Sequence, residues 1–306
     1  MRSKFNDKNF INYKRSNLER TFFIFFFFLL IVIGLGWIFS VIFQSPDILY
    51  VAVIFSVLMS VVSYWYSDKI AIASAQAKLA SEAEIPEVYE IVRRLTKKDN
   101  LPMMKIYISP EEQINAFATG RNPSHAAVAV TRGALEKLNK EELEGVLAHE
   151  LSHVKNYDML VSTVVIVLAG FISLLANWLQ MSFFFGGFSN NRNNRDNDNN
   201  LMMIIGLLVA FLAPIGASLI QLAISRKRES LADISGANLS GKPLALASAL
   251  KKIENDDTPM TKVNPATAHL WISDPNRGRK ISSWEKLFMT HPPIAERIEA
   301  LKKLAK

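Results

Sequence analysis

The chain has no cysteine and only five histidines in 306 residues. The first absence excludes disulfides and thiolate metal sites, so a metal ion would have to be held by His, Asp or Glu. The scarcity of histidine makes the position of each imidazole informative. Charge is missing from four long stretches, residues 22–45, 48–67, 159–187 and 201–225. Each is long enough to cross the apolar core of a bilayer as a helix, so about four transmembrane helices are expected. These stretches offer no Asp, Glu, Lys or Arg to line an ion path, which argues against a transporter or channel. A nucleic-acid partner is also excluded from the reading. The net charge is +7, but the basic residues gather beside the apolar runs, where lipid headgroups would meet them.

What is present divides the chain in order. Residues 1–20 form a basic tail, with Arg2, Lys4, Lys8, Lys14, Arg15 and Arg20 against Asp7 and Glu19. Residues 21–67 read as a hairpin of spans 1 and 2 around the short turn Gln44-Ser45-Pro46-Asp47. The basic lead-in and the uncharged turn place the N-terminus in the cytoplasm. The apolar run exceeds the core of a usual leader and no A-x-A site follows it, so an uncleaved anchor is expected. Residues 68–157 read as the first part of a soluble domain. Helices are expected over 69–83, 86–98 and 132–138, and strands over 105–109, 114–119 and 126–131, with Pro110 and Gly120-Arg-Asn-Pro123 as turns. Residues 158–225 read as spans 3 and 4 around a low-complexity, disordered tract at 189–200. Residues 226–306 return to the cytoplasm as the second part of the soluble domain.

The stretch His149-Glu150-Leu151-Ser152-His153 carries the chemistry. Asn139 and Glu142 form a capping-box start ahead of it, and Leu143, Val146, Leu147, Leu151 and Val154 recur at helical spacing. On such a helix the two imidazoles share one face and suit a single tetrahedral Zn²⁺, while Glu150 reaches the water beside it. That arrangement serves metal-assisted peptide hydrolysis, with Glu150 as general base. A hydrolytic zinc needs a third protein ligand. Glu229 is the best candidate, with Asp233 one turn later to orient a ligating imidazole; His269 and His291 are rivals, and His125 reads as a loop residue. His291 is also a candidate oxyanion donor, or a structural residue of the Pro292-Pro293 turn. The alternative to an enzyme is a membrane scaffold or chaperone-like module with a structural zinc.

The sequence resembles the HtpX family of membrane-bound zinc endopeptidases, relatives of the CAAX prenyl proteases. The resemblance is carried by Ser81-Glu-Ala-Glu84, Leu101-Pro102-Met103, Asn115-Ala-Phe-Ala-Thr-Gly120, Leu147-Ala-His-Glu-Leu-Ser-His153, Asn156 with Asp158-Met159, Ser225-Arg-Lys-Arg-Glu229 with Ala232-Asp233, Ala266-Thr-Ala-His-Leu270 and Thr290-His-Pro-Pro293. It implies an α+β, zincin-like (gluzincin) metalloprotease domain, mainly helical with a small β-sheet. It implies one Zn²⁺ per chain on His149, His153 and Glu229, with Glu150 catalytic. Asn115 and the backbone of Ala116 would hold the substrate as an added strand. Protein substrates, mainly damaged membrane proteins, a heat-stress link and a functional partnership with an AAA membrane protease are implied as well. The location implied is the bacterial plasma membrane, with the catalytic domain cytoplasmic. Ser230 and Tyr157 depart from the family's usual residues, aromatic at the first position and Gly or Arg at the second.

Overall fold

A computed structural model describes residues 7–42, 44–165, 167–168, 170–172, 226–261, 270–273 and 293–305. The first two charge-free runs lie in helices α1 (Asp7–Ile42) and α2 (Asp47–Ser74). Among the described residues these two, over Arg15–Val41 and Asp47–Ser74, are long and apolar enough to cross a membrane. A helix is the conformation that satisfies its own backbone polar groups where water is absent. The pair packs closely: a Cβ on Gly36 would run into the Cβ of Ala52, so the approach requires glycine there.

The expected helix over 69–83 is not a separate element. Its first half prolongs α2, and Gln76 then takes a left-handed φ of 50°. The chain continues as a short strand, β1 (Lys78–Leu79), antiparallel to β2 (Lys105–Ser109). The alanines there favour a helix, but pairing with β2 and the burial of Ile72 and Ala75 beside Phe117 and Trp271 override that preference.

Strands β3 (Ala116–Gly120) and β4 (Ala126–Thr131) complete a mixed sheet of order β1-β2-β4-β3. β2 and β4 run parallel with Ile106 opposite Val128; β3 runs antiparallel to β4 with Ala118 opposite Val128. Both faces are covered, which explains why β4 is apolar at nearly every position. One face carries Ile106, Val128 and Val130 against Val88, Ile91 and Leu95 of α3 (Pro86–Lys98) and Val146, Leu147 and Leu151 of α5 (Lys140–Lys155). The other carries Phe117, Ala127 and Ala129 against the end of α2. Helix α4 (Arg132–Lys137) links β4 to α5.

Helix α6 (Asp158–Ile172) turns 83° from α5 and packs Leu160, Val164, Leu168 and Ile172 along Ile24, Phe28, Val32 and Leu35 of α1. It is the first part of the expected third span. The rest of that span, the fourth span and the tract at 189–200 lie outside the described residues. Helices α7 (Arg226–Ser240) and α8 (Pro243–Asn255) pack behind α5, and α9 (Ile294–Leu304) packs on those two. The chain is thus α+β, mainly helical around a small mixed sheet.

Candidate metal centre

Helix α5 starts with the expected capping box: Asn139 Oδ1 accepts from the Glu142 N–H at 2.9 Å, and Glu142 Oε2 accepts from the Asn139 N–H at 2.9 Å. The helix then runs through the protein interior, buried at every position from Glu142 to Ser152. Two of its buried acids are paired, Glu142 with Lys252 at 2.7 Å and Glu144 with Arg94 at 2.7 Å, which keeps their burial from being prohibitive.

Helix α7 crosses α5 at the first histidine of the motif. A Cβ on Gly236 would lie 2.8 Å from His149 N and 2.9 Å from its Cα, so only glycine permits this approach. The crossing brings Glu229, two turns before Gly236, over both imidazoles. His149 Nε2 lies 3.7 Å from Glu229 Oε2, His153 Nε2 lies 3.5 Å from Glu229 Oε1, and the two Nε2 atoms are 3.2 Å apart. Among the described residues, His149, His153 and Glu229 form the one group of potential ligands close enough to share an ion.

The geometry of this triangle tests whether a zinc ion fits. Ligands at about 2.0–2.1 Å from a tetrahedral Zn²⁺ stand about 3.3 Å from one another. The observed spacings scatter about that value, and both Nε2 atoms turn inward while each Nδ1 faces a carboxylate on the outer side. His149 Nδ1 is 3.0 Å from Asp233 Oδ1, and His153 Nδ1 is 3.1 Å from Asp158 Oδ2. Two nitrogens and a carboxylate in this arrangement fit zinc.

The charges agree with a cation site. Burial works against a protonated His153, but Glu229 and Asp158 outweigh it and lift its pKa to about 9. Burial lowers that of His149, against the pull of Asp233. Glu150 is held in a dry environment that raises its carboxyl to about 8, and it accepts a hydrogen bond from the Ala118 N–H of β3. It stands beside the three potential ligands without joining them.

Asp233 is found where the sequence places it, next to His149. It is further gripped by Arg297 of α9, whose Nε and Nη2 lie 2.8 and 2.7 Å from its two oxygens. Asn115 is buried and faces the chain's own segment: its Nδ2 donates to Ser273 O at 3.1 Å, and its Oδ1 accepts from Ser273 N at 3.2 Å. Ala116 O accepts from Ile272 N at 3.0 Å. The edge of β3 is thus covered at its start by residues 272–273. His125 sits exposed on a turn, as expected; His269 and His291 lie outside the described residues. Sequence reasoning missed Asp158 as the partner of His153 and Arg297 as the partner of Asp233. The only signal for Asp158 was an acid five residues beyond the second histidine.

A model of the family "Peptidase family M48" matches residues 82–305. The chain is 48% identical to a "Protease HtpX homolog" of Thermococcus kodakarensis over 278 residues, 90% of this chain and 91% of that one. It is 50% identical to a protein of the same name from Pelotomaculum thermopropionicum, over 81% of this chain and 86% of that one. A third, from Pyrococcus furiosus, is 44% identical over 94% and 95%. Among solved structures, the crystal structure of S. mikatae Ste24p shares the fold, with a TM-score of 0.50 and 17% identity over 95% of this chain and 67% of that one.

Proposed function

We propose, from the premise that this chain belongs to peptidase family M48, that it is an integral membrane zinc endopeptidase acting on misfolded or damaged membrane proteins. The observation that carries the reading is the triangle of His149, His153 and Glu229 with Glu150 beside it. Among the described residues no fourth ligand closes the site, which favours a catalytic over a structural ion. A zinc ion held there supplies Lewis acidity toward a peptide carbonyl and toward water.

The residues supply the rest. Glu150 takes a proton from the attacking water and returns it to the leaving nitrogen. Asp233 and Asp158 fix which ring nitrogen of His149 and His153 faces the ion. Asn115, the Ala116 backbone and the edge of β3 position an extended substrate that takes the place of residues 272–273 there, and His291 donates to the developing oxyanion. The end of β3 supports a membrane-borne substrate, because Arg121 stacks 4.4 Å above the ring of Trp65, at the end of the apolar part of α2. The charge-free runs at 159–187 and 201–225 are expected from the sequence as a second hairpin, which would bring the soluble parts 68–157 and 226–306 together on the cytoplasmic side of the cell membrane.

The test separates binding from chemistry. Glu150→Gln keeps its zinc but lowers casein cleavage by about a hundred- to ten-thousand-fold. His149→Ala and Glu229→Ala lose zinc in metal analysis of detergent-purified protein. Equal zinc in the parent protein and Glu229→Ala refutes the ligand assignment.

A further inference from the structure

We infer that Asn17, on the first apolar helix, is a positioning residue for the metal site, acting through Asp158 on His153. The inference rests on the metal-site reading above. Asn17 lies near the start of the membrane-capable part of α1, yet it is 2% exposed. Its Nδ2 donates to Asp158 Oδ1 at 2.8 Å and to the Asn156 carbonyl at 2.8 Å. Its Oδ1 accepts from Arg228 Nη1 at 3.4 Å, and Arg228 Nε in turn lies 3.7 Å from Asp158 Oδ1. The other oxygen of Asp158, Oδ2, faces His153 Nδ1 at 3.1 Å.

One amide therefore touches the segments leading to two ligands: the turn that follows His153 and the residue before Glu229. Tyr157 takes a left-handed φ of 62° in that turn, which folds Asp158 back onto the histidine. A carboxylate can rotate about its own axis. Rotation would draw Oδ2 away from the imidazole, and the hydrogen bond from Asn17 to Oδ1 opposes it. Buried carboxylate oxygens need such partners. A helix that only anchors the chain in lipid has no use for a buried amide at this place; apolar surface suffices. The first span is on this reading a component of the metal site.

Loss of an outer partner of a metal-binding histidine weakens metal affinity by about ten- to a hundredfold. Asn17 stands one bond further out, so the lower end, about tenfold, is expected for Asn17→Leu. Full-length protein in detergent is stripped with a chelator and titrated with Co²⁺, following its ligand-field absorption and its affinity by competition. Asn17→Leu binds Co²⁺ about tenfold more weakly, with altered band intensities. Thr21→Val, which removes a buried hydroxyl one turn along without touching Asp158, binds as the parent does. Added to Asp158→Asn, Asn17→Leu changes little, because both act on one imidazole. If Asn17→Leu does not fold, Asn17→Ser carries the same comparison. Parent-like affinity and spectrum in the folded variant, or full additivity in the double variant, overturns the inference and leaves the site reading standing. A parent protein that binds no Co²⁺ overturns both.

Discussion

Substituting Gly236 by alanine tests how the site is assembled. The added Cβ would lie 2.8 Å from His149 N, 2.9 Å from His149 Cα and 3.0 Å from the carbonyl carbon of Ala148. Carbon atoms pack comfortably at about 3.5 Å or more, so relief needs a shift of about 0.6 Å. All three neighbours are backbone atoms of α5, and no rotamer change relieves them. Helix α7 must move outward. Glu229, Asp233 and Gly236 lie on one face of α7, so the shift carries the third ligand and the partner of His149 with it. A metal site accepts about 0.2 Å of error in its ligand distances, and 0.6 Å exceeds that. Metal affinity is therefore expected to fall by at least about tenfold. Folding is affected less. Overpacking costs about 1–3 kcal/mol, and alanine recovers about 1 kcal/mol of helix propensity. The metal-free protein should thus unfold within a few degrees of the parent while its competition-measured zinc affinity drops. Parent-like zinc affinity in Gly236→Ala refutes the argument that this crossing places Glu229.

Two further outcomes follow from the buried pair behind His149. Arg297→Met leaves Asp233 without its two-pronged partner and destabilises the metal-free protein by about 3–5 kcal/mol in denaturant unfolding, whereas Arg297→Lys restores part of it; equal unfolding midpoints for parent and Arg297→Met refute this. Burial alone would raise the Asp233 carboxyl, but Arg297 and His149 pull it down to about 2 from the ordinary 3.8. A carboxyl lowered by folding contributes stability that is complete above its ordinary pKa and is lost as pH falls through the folded one. Metal-free protein should lose this share between about pH 4 and pH 2, followed by circular dichroism. Asp233→Asn should lack it, and an unchanged acid limb in that variant counts against the pair.

Much of this was readable from local pattern. The capping box of Asn139 and Glu142 and the 3.6-residue spacing after it define α5 without help from the fold. Turn residues bracket β2, β3 and β4, and Glu229 with Asp233 announces itself as two acids one turn apart on a helix. Reading failed where distant contacts decide. Residues 75–79 have helical composition, yet a turn at Gln76 ends the helix and the edge of β2 takes Lys78–Leu79 as a strand. The left-handed φ of Tyr157, which sets Asp158 against His153, has no signature in a tyrosine codeword. Arg297 is 64 residues from Asp233, and Asn17 is 141 residues from Asp158. No spacing rule reaches that far, and both look like ordinary polar positions on their own helices.

Those two distant residues share one consequence. Each ring of the pair is oriented by a carboxylate, and each carboxylate is secured by a side chain from an opposite region of the chain. Arg297 on α9 secures Asp233 behind His149, and Asn17 on α1 secures Asp158 behind His153. An isolated H-E-x-x-H helix would hold neither ring, because an imidazole free to rotate presents either nitrogen. The ion-binding geometry therefore forms only when the first span and the last helix are both docked. By the same linkage, an ion that binds this geometry favours the docked arrangement of both over any state that lacks it. Metal binding and the closing of the soluble domain against its membrane helix are on this argument one equilibrium, with Asp158 and Asp233 as its two points of contact.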